Sequence, residues 1–297
     1  MKITNPVSDL HLLAILGSCW WCLALPTIAA EPARPLTPIA AKLEPARKLV
    51  YKSVDGRQLQ LHVFEPSGHQ PTDRRPAILG IHGGGWVAGE PRRFYPFAAF
   101  FARHGIVGIS LEYRLRTPDD KTTVFDCVRD GRSAMRYLRQ HADELGIAAH
   151  QIGVAGASAG GHIAIGTALF NGFNDVSDNL SVSCRPDLIV LYYPVIDTSP
   201  AGYGQSKIGR RWREISPVAQ VRPNMAPTLI FHGTGDTVTP FAGAQQFHQQ
   251  MIHDGNQCDL VTHPNGRHGY LIFDLQLFDQ ALAQTAQFLR KQNFIAP

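Results

Sequence analysis

The chain has 297 residues, 44% hydrophobic and 18% charged, with 27 glycines, 21 prolines and 5 cysteines. That length and apolar fraction support one large domain or two small ones, and they exclude a disordered chain, a collagen-like repeat and a disulfide-framed mini-domain. The 28 Lys+Arg against 24 Asp+Glu leave a net charge of +4, with no Lys/Arg block of the kind that tracks phosphates, which argues against nucleic acid as a partner.

Residues 1–30 read as a secretory signal peptide. The apolar run Leu10 to Ala30 follows a short start carrying Lys2, and it ends in small residues before Glu31-Pro32, which places cleavage after Ala29 or Ala30. The run also comes close to the length of a membrane anchor, but Pro26 and the small residues after it favour cleavage. A secreted or periplasmic protein, free of the membrane after cleavage, is the expectation. Loss of the signal removes Cys19 and Cys22 and leaves Cys127, Cys184 and Cys258, an odd set without zinc spacing. No structural metal is expected, and export permits one disulfide among the three.

Residues 31–47 carry Pro32, Pro35, Pro38 and Pro45 and suit an extended, Pro-rich leader. The folded domain is expected over residues 48–297. Leu49-Val50-Tyr51 and Leu59 to Phe64 flank Asp55-Gly56, a pattern that predicts an antiparallel hairpin. Six short apolar runs follow, at Ala77–Ile81, Ile106–Ser110, Ile152–Ala155, Leu188–Tyr192, Thr228–Phe231 and Asp259–Val261. Helical spacing appears between them: Asp126 to His141 places Val128, Ala134, Met135 and Leu138 on one face, and Phe278, Leu282, Phe288 and Leu289 do the same near the C-terminus. Strands alternating with helices predict an α/β fold, an eight-stranded, mostly parallel sheet with helices on both faces.

In such a sheet ligands bind beyond the carboxyl ends of the strands, and four of those ends carry reactive groups. The run Ile152 to Ala155 leads into Gly156-Ala157-Ser158-Ala159-Gly160-Gly161, a G-x-S-x-G turn whose small residues let the chain swing sharply into a helix with Ser158 at the tip. Ile81 leads into His82-Gly83-Gly84-Gly85-Trp86. Consecutive glycines there allow the N–H groups of Gly83 and Gly84, with that of Ala159, to converge on a developing oxyanion. Trp86 either lines a substrate mouth or packs beneath the loop; we place it with the substrate-binding residues. After Phe231 comes His232-Gly233-Thr234-Gly235-Asp236, and after Val261 comes a loop ending in Arg267-His268-Gly269-Tyr270. Asp236 is set to orient a histidine, and His268 to act as general base toward Ser158. The order Ser, acid, His along the chain favours His268 over His263. His82, His232, His162, Glu112, Tyr113 and Arg114 read as structural.

The segments HGGGW, GASAGG, HGTGD and RHGY, in that order, resemble the α/β-hydrolase superfamily, in particular the esterase branch related to hormone-sensitive lipase and secreted bacterial acetylxylan or feruloyl esterases. The stretches LEYR (111–114), YPVID (193–197) and LIFHGT (229–234) add to the likeness, which spans residues 49–294. It implies a serine esterase with Ser158 as nucleophile, Asp236 as acid, Asp197 as the runner-up acid because some members of the superfamily take it from that strand end, His268 as base, no cofactor, and short acyl esters, including those of plant polysaccharide, as substrates. Two features depart from the branch: Ala157 stands where many relatives carry an acidic residue, and only a short insert with Tyr203 and Trp212 replaces a large lid. A serine peptidase or amidase on the same fold and a non-catalytic binding protein are the alternatives.

Overall fold

The computed structural model describes residues 34–117 and 121–295; the expected signal peptide lies outside them. Helix α1 (Leu36–Ala41) comes first, followed by the hairpin β1 (Arg47–Val54) and β2 (Arg57–Phe64). Then come β3 (Arg75–Ile81), α2 (Tyr95–Arg103), β4 (Val107–Leu111), α3 (Val124–Gln140), β5 (Ile147–Ala157) and α4 (Ala159–Leu169). The second half holds β6 (Ile189–Tyr192), the short α5 (Gln205–Ile208), β7 (Thr228–Gly233), α6 (Phe241–His253), β8 (Cys258–His263), α7 (Tyr270–Phe273) and α8 (Leu275–Lys291). The eight strands form one sheet in the order β1-β2-β4-β3-β5-β6-β7-β8. The β1/β2 and β2/β4 pairs are antiparallel, and every other pair is parallel.

Residues 31–47 were expected to be extended, yet α1 forms within them. Leu36 and Ala40 lie four apart and are buried, so one face of the turn docks on the domain. Pro38 is tolerated because the first-turn N–H it lacks has no intrahelical acceptor.

Alternation along the central strands sends side chains to two cores. Leu79 and Ile81 of β3 join Val128, Met135 and Leu138 of α3 and Ile163 of α4 on one face. Ile78 joins Phe97 and Phe101 of α2 and Leu282 and Leu289 of α8 on the other. Helix α3 starts at a reciprocal cap: Thr123 Oγ1 accepts the Asp126 N–H at 3.3 Å, while the Asp126 carboxylate accepts the Thr123 N–H at 2.8 Å. Helix α4 is buried along its whole length; its residues are small or apolar apart from His162 and Thr167, which bond the Ile215 and Ala164 carbonyls. At Gly108 a Cβ would overlap the Ala98 carbonyl, so the missing side chain lets α2 lie directly on β4.

A buried charge cluster ties the hairpin to the helices. Asp130 on α3, wholly inaccessible, takes Lys52 Nζ from β1 at 2.8 Å and the Arg114 guanidinium at 2.8 and 2.9 Å. Asp175 adds a second carboxylate 2.6 Å from Lys52. Cys127, Cys184 and Cys258 are free buried thiols.

Candidate active site

The carboxyl ends of β3, β5, β7 and β8 bring the predicted residues together. Between β5 and α4 the chain reverses at Ser158, which holds φ 54° and ψ −122°. A non-glycine residue in this region is strained by about 1–3 kcal/mol and needs surroundings that enforce it. Those surroundings are visible. Ser158 N–H donates to the Tyr192 carbonyl at 3.0 Å, and Ser158 C=O accepts from Val195 at 3.0 Å and from His162 at 3.2 Å. Only glycine fits at position 160, because a Cβ there would collide with the Ile81 and His82 carbonyls. The end of β3 therefore presses directly against the turn.

Ser158 Oγ sits 2.9 Å from His268 Nε2, and His268 Nδ1 sits 2.8 Å from Asp236 Oδ2. The carboxylate is held from its other side: Oδ1 accepts the N–H groups of Val238 and Thr239 at 2.9 and 2.8 Å, and Oδ2 accepts the Thr239 hydroxyl at 2.9 Å. Burial works to raise the Asp236 pKa, but the hydrogen bond and charge of His268 and the bonds from Thr239 outweigh it, so the carboxyl titrates below its usual range. Asp236 is thus an anion that accepts, and Nδ1 carries the imidazole proton. Nε2 is left with a lone pair toward Ser158. The His268 side chain is 21% exposed, so solvent reaches the imidazole.

The loop after β3 approaches the serine from the opposite side. A Cβ on Gly83 would lie 3.0 Å from both the Ala157 carbonyl and Ser158 Cβ, which measures how closely its backbone packs on the turn. The N–H groups of Gly83 and Gly84 have no backbone acceptor among the described residues, and Ala159 opens α4, where a first-turn N–H lacks an intrahelical partner. Among the described residues these three N–H groups lie beside Ser158 with no backbone acceptor outside the regular elements. His82 braces them: its Nδ1–H donates to the Gly83 carbonyl at 2.8 Å, its ring stacks on Tyr113 at 4.6 Å, and Tyr113 O–H donates to the His82 carbonyl at 3.0 Å.

Trp86 is not where the substrate-binding expectation put it. It is wholly buried, edge-on to His162 at 5.1 Å and 5.6 Å from the Tyr203 ring. Its backbone, at φ 64°, turns the indole inward under the glycine loop, so it supports the loop and does not meet substrate. His162 is buried and donates Nε2–H to the Ile215 carbonyl at 2.7 Å, as a packing residue does. His263 stacks on Tyr270 at 4.9 Å, and the Asp197 carboxylate is taken by the Ser199 amide and hydroxyl at 2.8 Å each; neither joins the array.

Three further residues at the site carry no role that the sequence alone assigns. Tyr193 caps β6 at φ 37° and meets the His268 ring edge-on at 5.3 Å. Lys207 of α5 donates to the Gly85 carbonyl at 3.3 Å and to Tyr203 Oη at 2.7 Å, which roofs the glycine loop. Thr239 touches both Asp236 and His268. The β6-to-β7 insert signalled the first two only by its aromatic residues, and the threonine is one of many in turns.

A family profile described as BD-FAE matches residues 61–211. A solved structure of Thermogutta terrifontis esterase 2 phosphoramylated by tabun superposes with a TM-score of 0.81 at 34% identity, covering 84% of this chain and 96% of that one. The propionate-bound form of the same Thermogutta esterase gives 0.80 at 33% identity, covering 84% and 96%. An acetylxylan esterase of Xylanibacter ruminicola is 25% identical over 245 residues, which are 76% of this chain and 46% of that protein. The chain spans about half or less of the length of the first curated relatives it matches. Fold, serine turn and profile agree: the chain belongs to the BD-FAE family, on the α/β-hydrolase fold shared with these esterases.

Proposed function

We propose that the protein is a serine carboxylic ester hydrolase for short acyl esters, with O-acetyl groups of plant polysaccharide as the natural class. The observation that carries this reading is the unbroken relay from Ser158 Oγ through His268 to Asp236, at 2.9 and 2.8 Å. His268 Nε2 takes the serine proton as Oγ attacks the ester carbonyl. The oxyanion settles on the N–H groups of Gly83, Gly84 and Ala159, each such donor contributing about 3 kcal/mol to transition-state stabilisation. His268 then protonates the departing alcohol, leaving an acyl group on Ser158. Water, deprotonated by the same nitrogen, releases the acid and restores the enzyme.

Short acyl groups are favoured by the size of the segment between β6 and β7, whose regular structure is the four-residue α5 and two single 3-10 turns. It offers no long apolar roof for a fatty chain. The similar Thermogutta enzyme has been solved with propionate bound, and the Xylanibacter relative is an acetylxylan esterase; both support a small acyl group. Export through the N-terminal segment would place the enzyme where such polymers are met. The test is a panel of p-nitrophenyl acetate, butyrate and octanoate with acetylated xylan and methyl ferulate. Acetate is expected to be cleaved with the highest kcat/KM, with acetic acid released from xylan. Preference for octanoate would refute the short-acyl reading.

A further inference from the structure

Thr239 is 3% exposed, and its hydroxyl faces the Asp236–His268 pair. Oγ1 is 2.9 Å from Asp236 Oδ2 and 3.1 Å from His268 Nδ1, while those two atoms are themselves 2.8 Å apart. The three polar atoms form a closed triangle. A threonine hydroxyl has one proton and two lone pairs, and an ionised carboxylate can only accept. Oγ1–H is therefore committed to Oδ2, and an oxygen lone pair faces Nδ1–H, which forks between Asp236 and Thr239. Were Nδ1 unprotonated, its lone pair would confront two oxygens with a single proton to share among them.

We propose that Thr239 is a positioning residue of the triad, which holds the His268 ring in its Nδ1–H form and draws off part of the acceptor strength of Asp236. This inference rests on the esterase reading for its kinetic consequence but not for its titration. The groups around the triangle leave its direction clear. His232 on β7 donates Nε2–H to the Thr239 carbonyl at 2.8 Å and lies 3.5 Å from Asp236 Oδ2. Burial is the larger cause that keeps His232 below its ordinary pKa, so it is neutral. Tyr193 faces the imidazole from the end of β6, and Tyr270 lies 6.3 Å beyond it, stacked on His263 from β8. Asp197 shares a small cavity wall with Thr239 and Pro240, its carboxylate engaged by Ser199, and Arg267 precedes His268 in the chain. None of these is altered by removing one hydroxyl. With that hydroxyl gone, Asp236 Oδ2 becomes the stronger acceptor for an imidazolium, and Nδ1–H loses one of its two acceptors.

Thr239→Val and Thr239→Ser test this, with kcat and KM for p-nitrophenyl acetate measured across pH and the His268 ring titrated by NMR. The valine variant should lower kcat about tenfold with KM unchanged, a part of the roughly 10²–10⁴ that a positioned base supplies. The ring should also hold its second proton more tightly in the valine variant than in the wild type. Serine should restore both. If valine leaves the rate within about twofold and the titration unmoved, or if serine is as impaired as valine, the residue acts by packing and the proposal is overturned. Should valine not fold, Thr239→Ala against Thr239→Ser gives the same contrast. The NMR titration needs no substrate, so a wild type that cleaves no ester would defeat the esterase reading while the titration still decides this one.

Discussion

Replacing Asp236 by asparagine has a consequence that can be worked from the hydrogen bonds around it. Oδ1 accepts two backbone N–H groups, from Val238 and Thr239, so in Asp236→Asn this position must remain the carbonyl oxygen. The new amide nitrogen then occupies the place of Oδ2 and points its protons at His268 Nδ1, 2.8 Å away. Two donors face each other, and the imidazole answers by carrying its proton on Nε2. That nitrogen is the one 2.9 Å from Ser158 Oγ, and once protonated it cannot accept the serine proton. A triad held in the wrong tautomer loses about 10⁴ in kcat, or about 5.4 kcal/mol at 1.36 kcal/mol per tenfold. The assay is steady-state cleavage of p-nitrophenyl acetate by wild type and Asp236→Asn, with circular dichroism and Tm to show that the variant folds. KM should change little, since Asp236 does not reach substrate. A folded variant retaining activity within about tenfold of wild type would refute the tautomer argument.

Other outcomes follow from the cores. Asp130→Ala removes the wholly buried anion that bonds both Lys52 and Arg114, leaving Asp175 as their remaining common carboxylate, and should cost about 3 kcal/mol in urea unfolding while leaving kcat per folded molecule near wild type; a loss below about 1 kcal/mol would show that Asp175 alone suffices for the two cations. Burial, the larger cause, holds the pKa values of His82 and His162 down at about 4, against weaker opposite pulls from the Gly83 and Ile215 carbonyls. An unfolded histidine titrates near 6.5, so as pH falls from about 6.5 to 4 the unfolded chain takes up more protons, and stability drops by about 2 kcal/mol per residue at pH 5. Unfolding free energies equal at pH 7 and pH 5 would contradict this. The carboxylates held below their usual range, Asp73 and Asp175 at about 2, contribute stability above about pH 4 that is lost only as pH falls through their lower folded values.

All eight strands were legible because buried parallel strands write themselves as short apolar runs and a one-sided hairpin as alternation around Asp55-Gly56. The serine turn, the glycine loop and the order of Ser158, Asp236 and His268 were legible for a related reason: backbone this tight demands small residues at fixed offsets. What escaped depends on side-chain direction or on contacts far apart in sequence. Trp86 follows the glycines as a mouth residue would, and only its positive φ turns the ring inward. Lys52 looks like any polar residue of an edge hairpin until α3 brings Asp130 against it, 78 positions away. The helix at Leu36–Ala41 hides behind prolines that usually signal extended chain. Thr239 is the sharpest case, since its chemistry comes from the two atoms beside it.

The most direct measurement of the central claim is covalent capture of the nucleophile. Incubation with a fluorophosphonate, followed by intact mass and peptide mapping, should place one phosphonyl adduct on Ser158 in the wild type and none in Ser158→Ala, with ester cleavage lost in parallel. An adduct on another residue, or ester cleavage undiminished in Ser158→Ala, would contradict the account.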